Sequence, residues 1–425
     1  MTTRDTILTI NVVEPELVEA VNLHSKELGI PLKGLVLVDK IYAEEAPDRP
    51  RDTTGLFEEI LCDFDNPDEL QQALKPYMYT LLGATCAYES AIQPFRKVIP
   101  FLPYISTPSE TSLLWSTEKP LMRNRFNKYD ASLNPKYQYM EAKDIPNVRE
   151  LIKGFEFPLI VKPSGLAKAL LVTECKNEQE LEDCLVNTFK IIDEVYEREH
   201  RRSQPSVLVE EMMQGDMYST DAYITNDGEI FCLPLVQVIT ANDIGLPGFY
   251  SYRHIIPTGL GNEDIEAAFE VARSAIRALN LRTSSAHIEL YRTSQGWKII
   301  ELGARTGGYR EDLYREAYGI KHTYNDLAVR IGKKPVMPGQ PIQHAAGFNI
   351  YADTEGIIQS IEGLDQAQQL DSVVYIHARA KVGDQALFAS NGGDLIVDGI
   401  LSNKDPEQLE KDMAKIREIV KIVTA

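Results

Sequence analysis

Hydrophobic and polar positions along this chain fall into two textures. In the first hundred residues, short apolar runs alternate with amphipathic stretches. Residues 6–13 are β-branched and apolar, 14–28 have helical spacing, and 35–38 are apolar again. Residues 58–63 and 80–87 read as further buried strands, with a helix at 68–74 between them. Strands alternating with helices predict a parallel, doubly wound α/β layer. No Gly-x-Gly-x-x-Gly follows the first strand, so a nicotinamide site is not predicted.

Prolines, serines and threonines in 102–116 predict a connection between domains. The texture then changes. Residues 157–162, 170–173, 207–210, 218–225 and 230–239 read as strands, and 178–197 as a long charged helix. Asn226-Asp227-Gly228 is a hairpin turn signal between the last two strands. A helix at 265–279 precedes a second hairpin, 286–291 and 297–302, which turns around Ser294 to Gly296. The tail from Pro335 predicts strands at 345–351 and 373–378 and a last helix at 406–422, a small α+β element that closes the molecule.

Composition narrows the function classes. The chain has 425 residues, 44% hydrophobic and 25% charged, enough for two to four globular domains. Its formal charge of −19 repels phosphate backbones, so no nucleic-acid partner is expected. Five cysteines lie apart with no Cys-x-x-Cys pair, which argues against a zinc knuckle or a disulfide framework. The first residues form no signal-peptide pattern, and no apolar run approaches the roughly 20 residues of a membrane helix. The expectation is a cytoplasmic protein with no membrane partner.

The chemistry concentrates in His287-Ile288-Glu289-Leu290 and in Glu301-Leu302-Gly303-Ala304-Arg305-Thr306-Gly307-Gly308. Two glutamates sit inside apolar strands of one hairpin. Converging carboxylates repel unless a cation lies between them, and magnesium suits a few carboxylates plus phosphate oxygens. Arg305 offers a fork for a carboxylate or phosphoryl group, and Gly307-Gly308 lets backbone approach a ligand. Lys162 ends an apolar strand, and the loop at 164–168 that follows could cover phosphates. On its own, a lysine at a strand end is as often a solvated terminus. The segment Val209-Glu210-Glu211-Met212-Met213-Gln214-Gly215-Asp216 runs from a strand into a turn, where methionines could pack a flat ring. Lesser candidates are Lys128, Tyr252, His254 and Glu89, the last beyond the carboxyl end of a strand.

These motifs, in this order, resemble the ATP-grasp superfamily, and most closely its carboxylate–amine ligases, which include L-amino acid (dipeptide) ligases. D-alanine–D-alanine ligase and biotin carboxylase are more distant. The resemblance implies an ATP-grasp fold with an N-terminal doubly wound α/β domain at 1–115. An ATP-grasp domain at 116–334, with its lid at about 130–210, and a C-terminal closing domain at 335–425 would follow. It implies that Lys128 and Lys162 contact ATP phosphates and that Lys168 supports them. Glu210, Glu211 and Met213 would read adenine. Glu289 and Glu301 would hold magnesium, or manganese in its place. Arg305 would hold the substrate carboxylate, with Gly307 and Gly308 at the substrate turn. Glu89, Tyr252 and His254 would line the amino-acid pocket.

Three departures stand out. The family's Glu-x-Asn-x-Arg has Gly303 at its asparagine. The ribose-binding glutamate falls on Met217, with Asp216 and Asp221 as substitutes. The phosphate loop has one glycine. The implied reaction joins a small-molecule carboxylate and an amine, of amino-acid type, through an acyl phosphate. Other ATP-grasp chemistry and a non-catalytic nucleotide-binding regulator stay open. Relatives often form homodimers, and no feature of this sequence decides oligomeric state.

Overall fold

A computed structural model describes residues 4–166, 170–198, 204–245, 250–388 and 395–425. Strands β1 (Thr6–Ile10), β2 (Lys33–Asp39), β3 (Phe57–Cys62) and β4 (Leu81–Thr85) form a parallel sheet in the order β3-β2-β1-β4. Strand order reverses at β1, so the crevice beyond the carboxyl ends of β1 and β4 is a natural ligand position. The helix Glu89–Val98 starts there, with Glu89 in its first turn. The stretch predicted as a bare connection contains the helix Glu110–Thr117. Ser109 nucleates it, its side chain accepting from the Ser112 amide.

A second, antiparallel sheet is built from β5 (Tyr137–Met140), β6 (Leu159–Pro163), β7 (Thr173–Cys175) and β8 (Val207–Glu211), in the order β5-β8-β6-β7. The helix Glu178–Arg198 lies on it. Leu181, Leu185 and Ile192 meet Leu159, Val161 and Val209 in a core separate from the rest of the molecule. β7 begins later than its apolar run predicts, because Leu171 adopts a left-handed conformation (φ 56°) and turns the chain.

The large sheet contains β9 (Gly215–Ile224), β10 (Ile230–Cys232), β11 (Val236–Thr240), β12 (Ser251–Ile256), β13 (Ser284–Thr293), β14 (Gly296–Gly303) and β15 (His344–Ile350). The tail adds β16 (Gly356–Glu362), β17 (Val373–Ala378), β18 (Gln385–Ala386), β19 (Val397–Asn403) and β20 (Lys421–Thr424). The strand order is β14-β13-β9-β11-β12-β15-β19-β17, with β10 on β9. One sheet therefore runs across residue 335, while β18-β16-β20 forms a small sheet of its own. The single strand predicted for 230–239 is two. The Leu233 amide still pairs with the Asp221 carbonyl of β9, but Pro234 has no amide to donate, and the pairing with β9 resumes one residue out of register at Val236. β12 carries Tyr252 and His254. The last helix ends at Ile419, and β20 then pairs with β16. Among the described residues, no helix is long and apolar enough to cross a membrane.

Candidate active site

β13 lies between β9 and β14. Its even residues Ala286, Ile288 and Leu290 are fully buried, in one core with Ala222, Ile224 and Leu302. Alternation along a strand sends the odd residues to the other face. There the register places Glu289 opposite both Glu301 and Ser219, and His287 opposite both Gly303 and Asp221. The two glutamates are thus direct cross-strand neighbours, a pairing of like charge that destabilises unless a cation intervenes. Each has its own basic neighbour. Glu301 Oε1 is 3.2 Å from Lys119 Nζ, and Glu289 Oε1 is 3.6 Å from His287 Nε2. Burial pushes the Glu289 carboxyl up, but His287, Arg305 and Arg310 outweigh it and leave the group below the usual range.

About a third of each glutamate side chain is open to solvent. No group of three or more His, Cys, Asp or Glu side chains with metal-binding geometry exists among the described residues. A magnesium that arrives on a nucleotide needs only one or two carboxylates, its other ligands being phosphate oxygens and water. The two-carboxylate set fits such an ion.

The helix Lys119–Tyr129 brings the basic side chains. Lys119 Nζ also donates to the Leu166 carbonyl at 3.0 Å, so it spans the gap between the glutamate pair and the loop after β6. Arg123, one turn further along the same helix face, is buried and donates to both Glu210 oxygens, at 2.6 and 3.2 Å. It also donates to the carbonyls of Ile299 and Ile300 on β14. Glu210 is fully buried and accepts from Lys162 Nζ at 2.9 Å. Burial raises its carboxyl, but Arg123 and Lys162 overcome that and hold it at about 2. Glu210 therefore fixes Lys162 at the end of β6 with its side chain 16% exposed. Lys128 is exposed. It lies roughly half a turn around the helix from Lys119. Lys119 is not among the residues the sequence singles out, because only the burial of Arg123 marks this face of the helix.

Arg305 Nε donates to Glu89 Oε2 at 2.9 Å and Nη1 donates to the Thr306 carbonyl, so the parallel sheet contributes a carboxylate to this face. A Cβ on Gly303 would lie 2.8 Å from Glu89 Oε2. The missing side chain at 303 is what admits Glu89. Gly307 donates its amide to Asp221 Oδ2 at 2.7 Å, and a Cβ there would lie 2.4 Å from His287 Nδ1. Gly308 borders open space.

The remaining predicted residues lie at varying distance from this cluster. Glu211 accepts from the Glu156 amide at 2.9 Å, and Met213 is half-buried just beyond β8. Asp216 is exposed at the outer end of the hairpin, beside a cleft of about 460 Å³ with Asp264, Arg292 and Trp297. Asp221 is wholly buried and bonded to two histidines, which leaves it no room for a ribose. Tyr252 accepts from Arg417 Nε at 2.6 Å, on the helix Pro406–Ile419. His254 is buried with Nδ1 unpaired and its ring 5.8 Å from that of Tyr309. Lys168 lies outside the described residues.

Comparison with known proteins gives two family matches. Residues 155–311 match the ATP-grasp domain, and residues 349–425 match the L-amino acid ligase C-terminal domain 2. The chain is 24% identical over 248 residues (58% of this chain) to an uncharacterized protein, y4rH, of Sinorhizobium fredii. It is 27% identical over 244 residues (54% of this chain) to phosphoribosylamine–glycine ligase of Methanosphaera stadtmanae. It spans about half the length of these curated relatives, 48% and 52%. The crystal structure of an L-amino acid ligase from Bacillus licheniformis superposes with a TM-score of 0.76 at 17% identity, covering 100% of both chains. That likeness is one of fold. Glu289, Glu301, Arg305, Lys162 and Glu210 lie inside the ATP-grasp match, whereas Glu89, Lys119 and Arg123 lie outside it.

Proposed function

We propose that this chain is an ATP-dependent carboxylate–amine ligase acting on amino acids, since residues 155–311 match the ATP-grasp domain and residues 349–425 match the L-amino acid ligase C-terminal domain 2. The observation that carries the proposal is the row of charge on one sheet face. Glu289 faces Glu301, Lys119 caps Glu301, and Arg305 pairs with Glu89.

Each chain group has a role in this reading. Lys162, held by Glu210, and Lys119, held by Glu301 and the Leu166 carbonyl, would orient the ATP phosphates as point charges. Glu289 and Glu301 would hold magnesium, which when bound neutralises charge on phosphate oxygens. Arg305 would receive the carboxylate of the acid substrate. An oxygen of that carboxylate bonds to the γ-phosphorus, and the bond from phosphorus to the ADP oxygen breaks. The amine then attacks the acyl carbon, loses a proton and expels phosphate. The acyl phosphate would hydrolyse in water. In our reading the β5–β8 unit, with its own core, is the lid that closes over it.

The ion pair of Arg305 with Glu89 supports amino acids as the acid substrate. An amino-acid zwitterion offers a carboxylate to Arg305 and an ammonium to Glu89, replacing their mutual contact with two contacts of the same kind. A simple fatty or aromatic acid would leave Glu89 without a partner.

The test is ADP release with magnesium and ATP over a matrix of paired amino acids, with mass spectrometry of each hit. ADP with a product lighter than its two substrates by one water supports the ligase. Nucleotide binding with no ADP release from any pair, or with simple acids alone, would go against it.

A further inference from the structure

A carboxylate that the phosphate-transfer roles leave unused sits directly behind the site. Asp221, on β9, is 0% exposed. Its Oδ1 accepts from His287 Nδ1 at 2.6 Å. Its Oδ2 accepts from His322 Nε2 and from the Gly307 amide, each at 2.7 Å. His322 Nδ1 in turn meets the Tyr223 hydroxyl. Arg310 Nε lies 4.0 Å from Asp221 Oδ1. Withdrawing a carboxylate from water costs several kcal/mol before any partner repays it. An apolar residue could fill the same volume, so a packing role alone does not explain the choice.

The three donors come from three elements, and each borders the site. His287 is two residues from Glu289 on the same face of β13. Gly307 belongs to the turn that follows Arg305. His322 opens the helix His322–Arg330. The imidazole is rigid. With Nδ1 turned to Asp221, Nε2 of the same ring must face outward, and it lies 3.6 Å from Glu289 Oε1. Gly307 completes the arrangement, since any side chain there would strike the His287 ring.

We infer that Asp221 is a positioning residue that, through His287, sets Glu289 for the metal–nucleotide complex and, through the Gly307 amide, sets the turn beside Arg305. This rests on the ligase reading in one respect only, that Glu289 is the metal carboxylate. Partners behind a metal ligand typically govern metal affinity by 10–100-fold. The two ring nitrogens can be separated by substitution. His287→Asn keeps a donor near the position of Nδ1, so Asp221 stays satisfied, but it removes the group facing Glu289. His287→Gln does the reverse. Asp221→Asn weakens both arms.

The experiment is calorimetric titration of the full chain with a non-hydrolysable ATP analogue, with and without manganese, alongside thermal melts. The expected result is that His287→Asn melts close to the parent and binds the metal-free analogue as the parent does. Its affinity for the manganese complex should be at least about tenfold weaker. Asp221→Asn should show the same loss with a lower melting temperature, and so should His287→Gln, which keeps a group facing Glu289 but loses the tether to Asp221. A folded His287→Asn that binds the manganese complex like the parent overturns the inference and leaves the ligase reading intact. A parent that binds no nucleotide overturns both.

Discussion

Glu210→Gln is the sharpest single perturbation of the phosphate side of the site. The substitution keeps shape and removes one charge. In the parent, Glu210 is fully buried and ionised, with its carboxyl moved from an ordinary 4.5 to about 2 by Arg123 and Lys162 against the cost of burial. That displacement corresponds to about 3 kcal/mol of net stabilisation at pH 7, at about 1.4 kcal/mol per unit. The glutamine leaves two buried or half-buried cations facing a neutral amide. A loss of about 3 kcal/mol is expected, within the range of roughly 3–5 kcal/mol for breaking a buried pair. With a urea slope of about 2 kcal/mol per molar, the midpoint of the transition that unfolds β5–β8 should fall by about 1–2 M. The pH dependence has a fixed sign. A depressed carboxyl contributes fully above its unfolded value and loses that contribution as pH falls through its folded value. The gap between parent and variant should therefore shrink by about 1 kcal/mol between pH 7 and pH 4. Nucleotide affinity should fall in parallel, because Lys162 loses its anchor. Equal urea midpoints at pH 7, or a gap that widens in acid, would refute the reasoning.

Other outcomes follow from the same geometry. Lys119→Met should lower ADP release by about 100-fold, the scale of losing one oriented charge at a transferring group, whereas Lys128→Met on the exposed face should change it less than about twofold. Gly303→Asn should drive Glu89 off Arg305, since even a Cβ would lie 2.8 Å from the Glu89 oxygen. Steady-state kinetics should then show KM for the acid substrate raised about tenfold, equivalent to one charge-assisted hydrogen bond, with KM for ATP little changed. Arg330→Met should lower the melting temperature by about 10 °C. It would leave buried Asp326, which also accepts from Thr85 of β4 and Ser285 of β13, without its cation at the join of the two sheets.

Local pattern carried much of this site. The alternation of β13 and β14 and the turn at Ser294–Gly296 were legible, and with them the opposition of Glu289 and Glu301, because a hairpin fixes its own register. What pattern could not carry was distance along the chain. Asp221 meets its histidines 66 and 101 residues away, and Arg305 meets Glu89 at a separation of 216. Periodicity says nothing about such pairs, so Asp221 reads in the sequence as a candidate for ribose. Lys119 was passed over for a different reason. A helix surface repeats its basic residues, and only the burial of Arg123 singles out the face that matters. The tail looks like a separate closing element in sequence because nothing local announces that β15 pairs with β12.

The most direct test of the central claim, that this site activates a carboxylate by phosphorylating it, follows the oxygen atoms. An acid substrate that supports ADP release would be labelled with ¹⁸O in its carboxylate, and the released phosphate would be analysed by mass spectrometry. The account predicts one ¹⁸O in each phosphate, with ADP as the nucleotide product. Unlabelled phosphate, or AMP with pyrophosphate, would contradict it.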